Sequence, residues 1–92
     1  MTHYTAKKHF ALKEIAGEFL LMARGPEALD FSAVIVFNET GVFLWNALAL
    51  PRTAEELAQL LAAQFSLSPA EVSGDVAAFL KKAEEEGLLC IE

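Results

Sequence analysis

The spacing of hydrophobic positions along this chain changes once, near Asn38. Before it, short apolar stretches are punctuated by Gly and Pro; after it, three segments follow a helical period. Residues 8–15 alternate loosely, with Phe10 and Leu12 on one side, and predict a strand. Ala16-Gly17 predicts a tight turn and residues 18–23 a second strand. Arg24-Gly25-Pro26-Glu27 reads as a loop, because Gly permits positive φ and Pro fixes φ. Residues 29–37 predict a third strand. One of its faces (Leu29, Phe31, Ala33, Ile35, Phe37) is wholly apolar, whereas the other (Asp30, Ser32, Val34, Val36) becomes apolar only towards its end. Such a strand is buried on one side and, on the other, is either covered by its own helices or met by a partner.

The helical half carries explicit start signals. Asn38 can cap a helix bearing Phe43, Leu44, Ala47 and Leu48, with Trp45 broadening the apolar face and Pro51 ending it. Thr53-Ala54-Glu55-Glu56 and Ser68-Pro69-Ala70-Glu71 are capping boxes, the second reinforced by Pro at the first helical position. The helices they open show the stripes Leu57, Leu60, Leu61, Phe65 and Val72, Val76, Phe79, Leu80, Ala83. Gly87 is a terminator, and the apolar tail 88–91 is expected to pack down. The fold class is therefore α+β, winged helix-turn-helix-like: three N-terminal antiparallel strands followed by three helices. A length of 92 residues fits one domain, 1–92, with residues 1–7 expected to be flexible.

Composition narrows the class. A 54% hydrophobic share argues against disorder. The longest apolar runs, residues 19–23 and 33–37 among them, are five residues each, against roughly 20 for a membrane span. No signal-peptide pattern follows Lys7 and Lys8, and the single cysteine, Cys90, cannot form an internal disulfide; a cytoplasmic location is expected. The net charge of −6 is uneven. Residues 1–24 hold four basic and two acidic side chains, residues 25–92 three basic and eleven acidic. An acidic region repels a phosphate backbone and can attract a basic segment, although surface charge also serves solubility.

Candidate chemistry is sparse. His3, His9 and Cys90 have no metal-ligand spacing, so no metal or other cofactor is expected. No Ser or Cys lies beside a base, the glycines are isolated, and Glu84-Glu85-Glu86 sits near a helix C-terminus, where a solvated face is its simplest role. The expectation is a protein that is not an enzyme. A helix-turn-helix outline raises DNA binding, but the last helix opens with Glu71 and Asp75 and has no basic side chain before Lys81. That leaves a binding module, whose third strand could accept an extended peptide along its edge.

Several segments carry a family resemblance: Ile35-Val36-Phe37-Asn38-Glu39-Thr40-Gly41, then Phe43-Leu44-Trp45, Pro51-Arg52-Thr53 with Glu56-Leu57, and finally Asp75-Val76, Phe79-Leu80 and Glu86-Gly87-Leu88-Leu89. Over about residues 10–90 the chain resembles the PqqD-type peptide chaperones, also called RiPP recognition elements; its 41–45 segment looks more like the broad family than the member dedicated to pyrroloquinoline quinone. The resemblance implies a non-catalytic domain that binds the leader of a ribosomally made precursor peptide by strand addition. It would present that leader to a modifying enzyme of radical SAM, cyclodehydratase or protease type. The implied lining is Phe31, Ser32, Ala33, Val34, Ile35 and Val36 on the strand and Asp75, Ala78, Phe79 and Lys82 on the last helix. The implied partners are the precursor peptide and the modifying enzyme, with no nucleic acid and no membrane, and the protein is expected as a monomer or homodimer. A winged-helix transcriptional regulator and a general protein-interaction adaptor are the alternatives.

Overall fold

The computed structural model describes residues 1–8, 10–23 and 35–92. Its elements run β1 (Tyr4–Ala6), β2 (Phe10–Ile15), β3 (Glu18–Ala23), β4 (Ile35–Phe37), α1 (Glu39–Ala47), α2 (Ala54–Phe65), α3 (Pro69–Glu85) and β5 (Leu89–Ile91). The expected α+β layout holds. Residues 29–34 of the third strand candidate lie outside the described residues, and β4 is its remaining end.

β2, β3 and β4 form an antiparallel sheet with β3 in the centre. The β2–β3 hairpin closes through Ala16 (φ 53°) and Gly17 (φ 81°). Two consecutive positive φ values are the type I′ signature, whose twist matches that of the flanking strands. Leu12 faces Leu21, Phe10 faces Ala23, and Phe19 faces Phe37 in register. Because paired residues share a face, Phe10, Leu12, Phe19, Leu21 and Phe37 fall on one side of the sheet. Leu21 and Phe10 are buried there, beneath the helices.

The helix starts follow their sequence signals. The Asn38 side chain accepts the Gly41 N–H at 2.8 Å. Thr53 Oγ1 accepts the Glu56 N–H at 3.1 Å while Glu56 Oε1 accepts the Thr53 N–H at 2.8 Å. Ser68 and Glu71 repeat the box with longer bonds of 3.3 and 3.4 Å. The helix ends are equally local. At Gly87 (φ 72°) the chain turns left-handed, Gly87 N–H reaches the Glu84 carbonyl at 3.0 Å and Leu88 N–H the Ala83 carbonyl at 2.9 Å. This is a Schellman motif, with buried Leu88 packed down after buried Ala83. α2 stops at Ser66, which adopts φ 57°, ψ 42°. The three helices and the sheet share one core, in which Leu44, Leu48, Leu57, Leu61, Val72, Val76 and Leu88 are almost wholly enclosed.

The N-terminal residues also take part in the fold. β1 pairs antiparallel with β5, Tyr4 opposite Ile91 and Ala6 opposite Leu89. Its other edge bonds to the α1–α2 connection: Tyr4 and Arg52 exchange backbone bonds of 2.8 and 3.0 Å, and Ala6 N–H donates to the Leu48 carbonyl at 2.8 Å. The physical reason is non-local pairing. Three residues offer little period of their own, but partners on both edges satisfy the backbone, and Tyr4 and Ala6 pack against the core. The tail 88–91 is only half packed down: Leu88 and Leu89 are buried, and Cys90 and Ile91 are exposed. Among the described residues, no helix is long and apolar enough to cross a membrane.

Candidate functional site

A groove of about 970 Å³ opens where the end of the sheet, the start of α1 and the outer face of α3 meet. Phe37 is its centre. This last residue of β4 meets Phe79 of α3 edge-on (ring centroids 5.7 Å apart, planes at 62°) and Trp45 of α1 at a tilt (6.1 Å, 57°). Trp45 in turn meets Phe10 of β2 edge-on at 6.4 Å. An aromatic chain thus ties four elements together, and edge-to-face contacts of this kind add about 0.5–1.5 kcal/mol each beyond area burial. Trp45 and Phe10 are buried, whereas Phe37 and Phe79 are only half-buried, so the chain ends at an open surface.

The α3 wall consists of Asp75, Ala78, Phe79 and Lys82, with Ala83 behind them. Their spacing of i, i+3, i+4 and i+7 puts them on one helix face. The opposite wall is Gly17, Glu18 and Phe19 at the β2–β3 turn, and the α1 start (Asn38–Gly41) closes one end. Gly41 permits that closure. A Cβ there would lie 3.3 Å from Phe37 Cγ and 3.3 Å from Asn38 Oδ1, tighter than ordinary contact. A side chain at 41 would require the Phe37 ring or the Asn38 side chain to give by a few tenths of an ångström.

Glu18, Glu39 and Asp75 bring three carboxylates to the groove and Lys82 one ammonium. All four side chains are exposed, and none makes an ion pair among the described residues. Away from the groove, the Thr53 N–H bonded to its carboxylate holds Glu56 below the usual carboxylate value. Among the described residues no Ser, Cys or His lines the groove, and no cluster of three or more His, Cys, Asp or Glu could hold a metal ion. What it offers is apolar surface, a mixed-charge rim and the β4 edge, which no other strand covers among the described residues.

The residues implied from sequence divide accordingly. Asp75, Ala78, Phe79 and Lys82 come together on the α3 wall. Ile35 and Val36 belong to β4, in register with Leu21 and Leu20. Phe31, Ser32, Ala33 and Val34 lie outside the described residues. Sequence reasoning missed the opposite wall, Gly17 to Phe19, and the part played by Phe37 and Gly41. The apolar alternation did mark Phe37, but as a core residue; only the register opposite Phe19 places it at the open end of the core.

Fold and groove together define a small α+β domain of winged helix-turn-helix layout whose sheet edge and third helix border a common cleft. The chain belongs to the PqqD family, coenzyme PQQ synthesis protein D, whose model matches residues 3–89. Two solved structures share the fold. One is TbiB1 in complex with the TbiA(beta) leader peptide, 20% identical, with a TM-score of 0.70, covering 92% of this chain and 93% of that one. The other is the PqqD truncation of Methylobacterium extorquens PqqCD, described as a functional, stand-alone RiPP recognition element. It is 16% identical, with a TM-score of 0.71, and covers 96% of this chain and 88% of that one. No curated protein matches the chain significantly.

Proposed function

We propose that this domain captures the leader segment of a ribosomally made precursor peptide and presents it to a modifying enzyme, without catalysing a reaction itself. The leader adds as a strand along the β4 edge, continuing over Phe31–Val36, and sets apolar side chains into the groove against Phe79 and Phe37. The observation that carries this reading is the coincidence of a strand edge that no other strand covers among the described residues with a half-open aromatic groove. Backbone pairing holds any extended segment, and the groove chooses among side chains. Membership of the PqqD family supports it, as does the leader peptide bound by TbiB1 on the same fold.

The mode has a physical logic. A leader is flexible before capture, and ordering it costs about 2–5 kcal/mol, which apolar burial at about 25 cal/mol per Å² must exceed. A preformed groove with a fixed aromatic wall keeps the domain's own ordering cost small. The enzyme class served, whether radical SAM, cyclodehydratase or protease, is set by the pathway. A precursor gene and a modifying-enzyme gene beside this one would supply the test peptide. Fluorescence anisotropy with that labelled leader is expected to show saturable one-to-one binding that Phe79→Ala weakens. Binding unaffected by Phe79→Ala, with the variant folded, would place capture elsewhere.

A further inference from the structure

We infer that the groove selects a cationic leader segment, in which an apolar residue seats against Phe79 and a Lys or Arg on the same side of the peptide reaches Asp75 and Glu39. This inference rests on the peptide-capture reading above and adds the chemistry of the segment captured. Its first support is charge: among the described residues Glu18, Glu39 and Asp75 face the groove against Lys82, and none of the four is neutralised by an ion pair. Residues 24–34 do not reverse that sign, because they hold Arg24 against Glu27 and Asp30.

The second support is spacing. Asp75 and Phe79 are four residues apart on α3, which is roughly 6 Å along a helix axis. Alternate residues of an extended peptide, which point to the same side, are about 6.7 Å apart. A strand running along α3 therefore brings a side chain to Asp75 whenever the next-but-one residue is seated at Phe79. Lys82 lies on the far side of Phe79, roughly 4.5 Å further along the axis. A cation on the Lys82 side is repelled and an anion accepted. The two charges thus fix the direction of the peptide as well as its composition. Ala78, small and exposed beside Phe79, leaves room for the anchor side chain.

The test uses the isotope-labelled full chain and three end-blocked synthetic peptides. They share a Val/Thr alternating body and one Leu, and carry Lys, Gln or Glu at the next-but-one position. Amide shifts of α3 and β4 report binding. The expected affinity order is Lys over Gln over Glu, each step about two- to fivefold, as exposed charge pairs give. Added salt compresses the differences, because the charges are exposed. Asp75→Lys, a change at an exposed position, is expected to invert the order while the spectrum stays folded. Equal affinities for all three peptides, a Glu preference in the parent, or an order that Asp75→Lys leaves unchanged would overturn the inference and leave peptide capture standing. Absence of α3 and β4 shifts with every peptide would instead count against peptide capture itself.

Discussion

α3 presents two faces built on the same helix and used in opposite ways. On one, Val72, Val76, Leu80 and Ala83 are each no more than 5% exposed and are filled by the chain's own core. On the other, Asp75, Ala78 and Lys82 stand exposed around Phe79, which touches the body of the protein through Phe37. Full burial of a large apolar side chain is worth about 1.5–3 kcal/mol. The first face takes that gain on folding. The second takes only part of it, and the uncovered part of Phe79 is available when something enters the groove. The contrast teaches where stability ends and recognition begins: the division falls within one helix.

The largest expected effect tests the buried face. Leu80→Ala should cost about 2–5 kcal/mol of unfolding free energy, since it leaves a cavity among enclosed neighbours, and urea denaturation measures it. Phe79→Ala tests the open face. It should cost only about 1–2 kcal/mol, because the ring is half-buried, yet lower leader affinity by about tenfold or more as the groove loses its anchor wall. If the two variants lose stability equally and Phe79→Ala binds normally, the two faces do not differ as described.

The caps give a smaller and cleaner control. Thr53→Ala and Ser68→Ala should each remove about 0.5–2 kcal/mol, the Thr53 change more, because its box is shorter-bonded and its residue is buried. Both should leave peptide affinity per folded molecule unchanged. The Thr53 box also titrates. Bonding to the Thr53 N–H lowers the Glu56 value in the folded state. Its contribution is therefore complete above the ordinary carboxylate range and is lost as pH falls through the lowered value. Urea midpoints measured against pH should show this acid loss in the parent and not in Glu56→Gln. Smallest of all, Lys82→Glu should change stability by less than about 0.5 kcal/mol, as exposed surface changes do, and show its effect in binding alone.

Much of this layout is legible in the sequence because its signals are local. The Ala16-Gly17 turn, both capping boxes, the Asn38 cap and the Gly87 stop each depend on residues within a few positions of one another, and each appears where its pattern lies. The α3 wall came with the family resemblance, and its four residues share one helix face because they follow one helical period. The opposite wall came with neither. Nothing in Gly17-Glu18-Phe19 shows that a hairpin end will stand across from α3; that depends on the register of Phe19 with Phe37 and on the approach of α1 that Gly41 allows. The β1–β5 pairing is hidden similarly. Its three-residue strands lie at opposite ends of the chain, and neither carries enough alternation to announce the other. The groove residues themselves came with the family resemblance; periodicity alone grouped Phe79 with the core stripe of α3.

The central claim is that an extended peptide pairs with β4 and lies against the open face of α3. The most direct measurement is a set of intermolecular nuclear Overhauser contacts between the isotope-labelled chain and an unlabelled leader from a precursor gene found beside this one. Contacts are expected from the leader backbone to β4 and from its apolar side chains to the Phe79 and Phe37 rings, with slowed exchange of the newly bonded β4 amides. A leader bound with its contacts on β2, on α2 or at the β1–β5 pair, and with the Phe79 ring untouched, would contradict that claim.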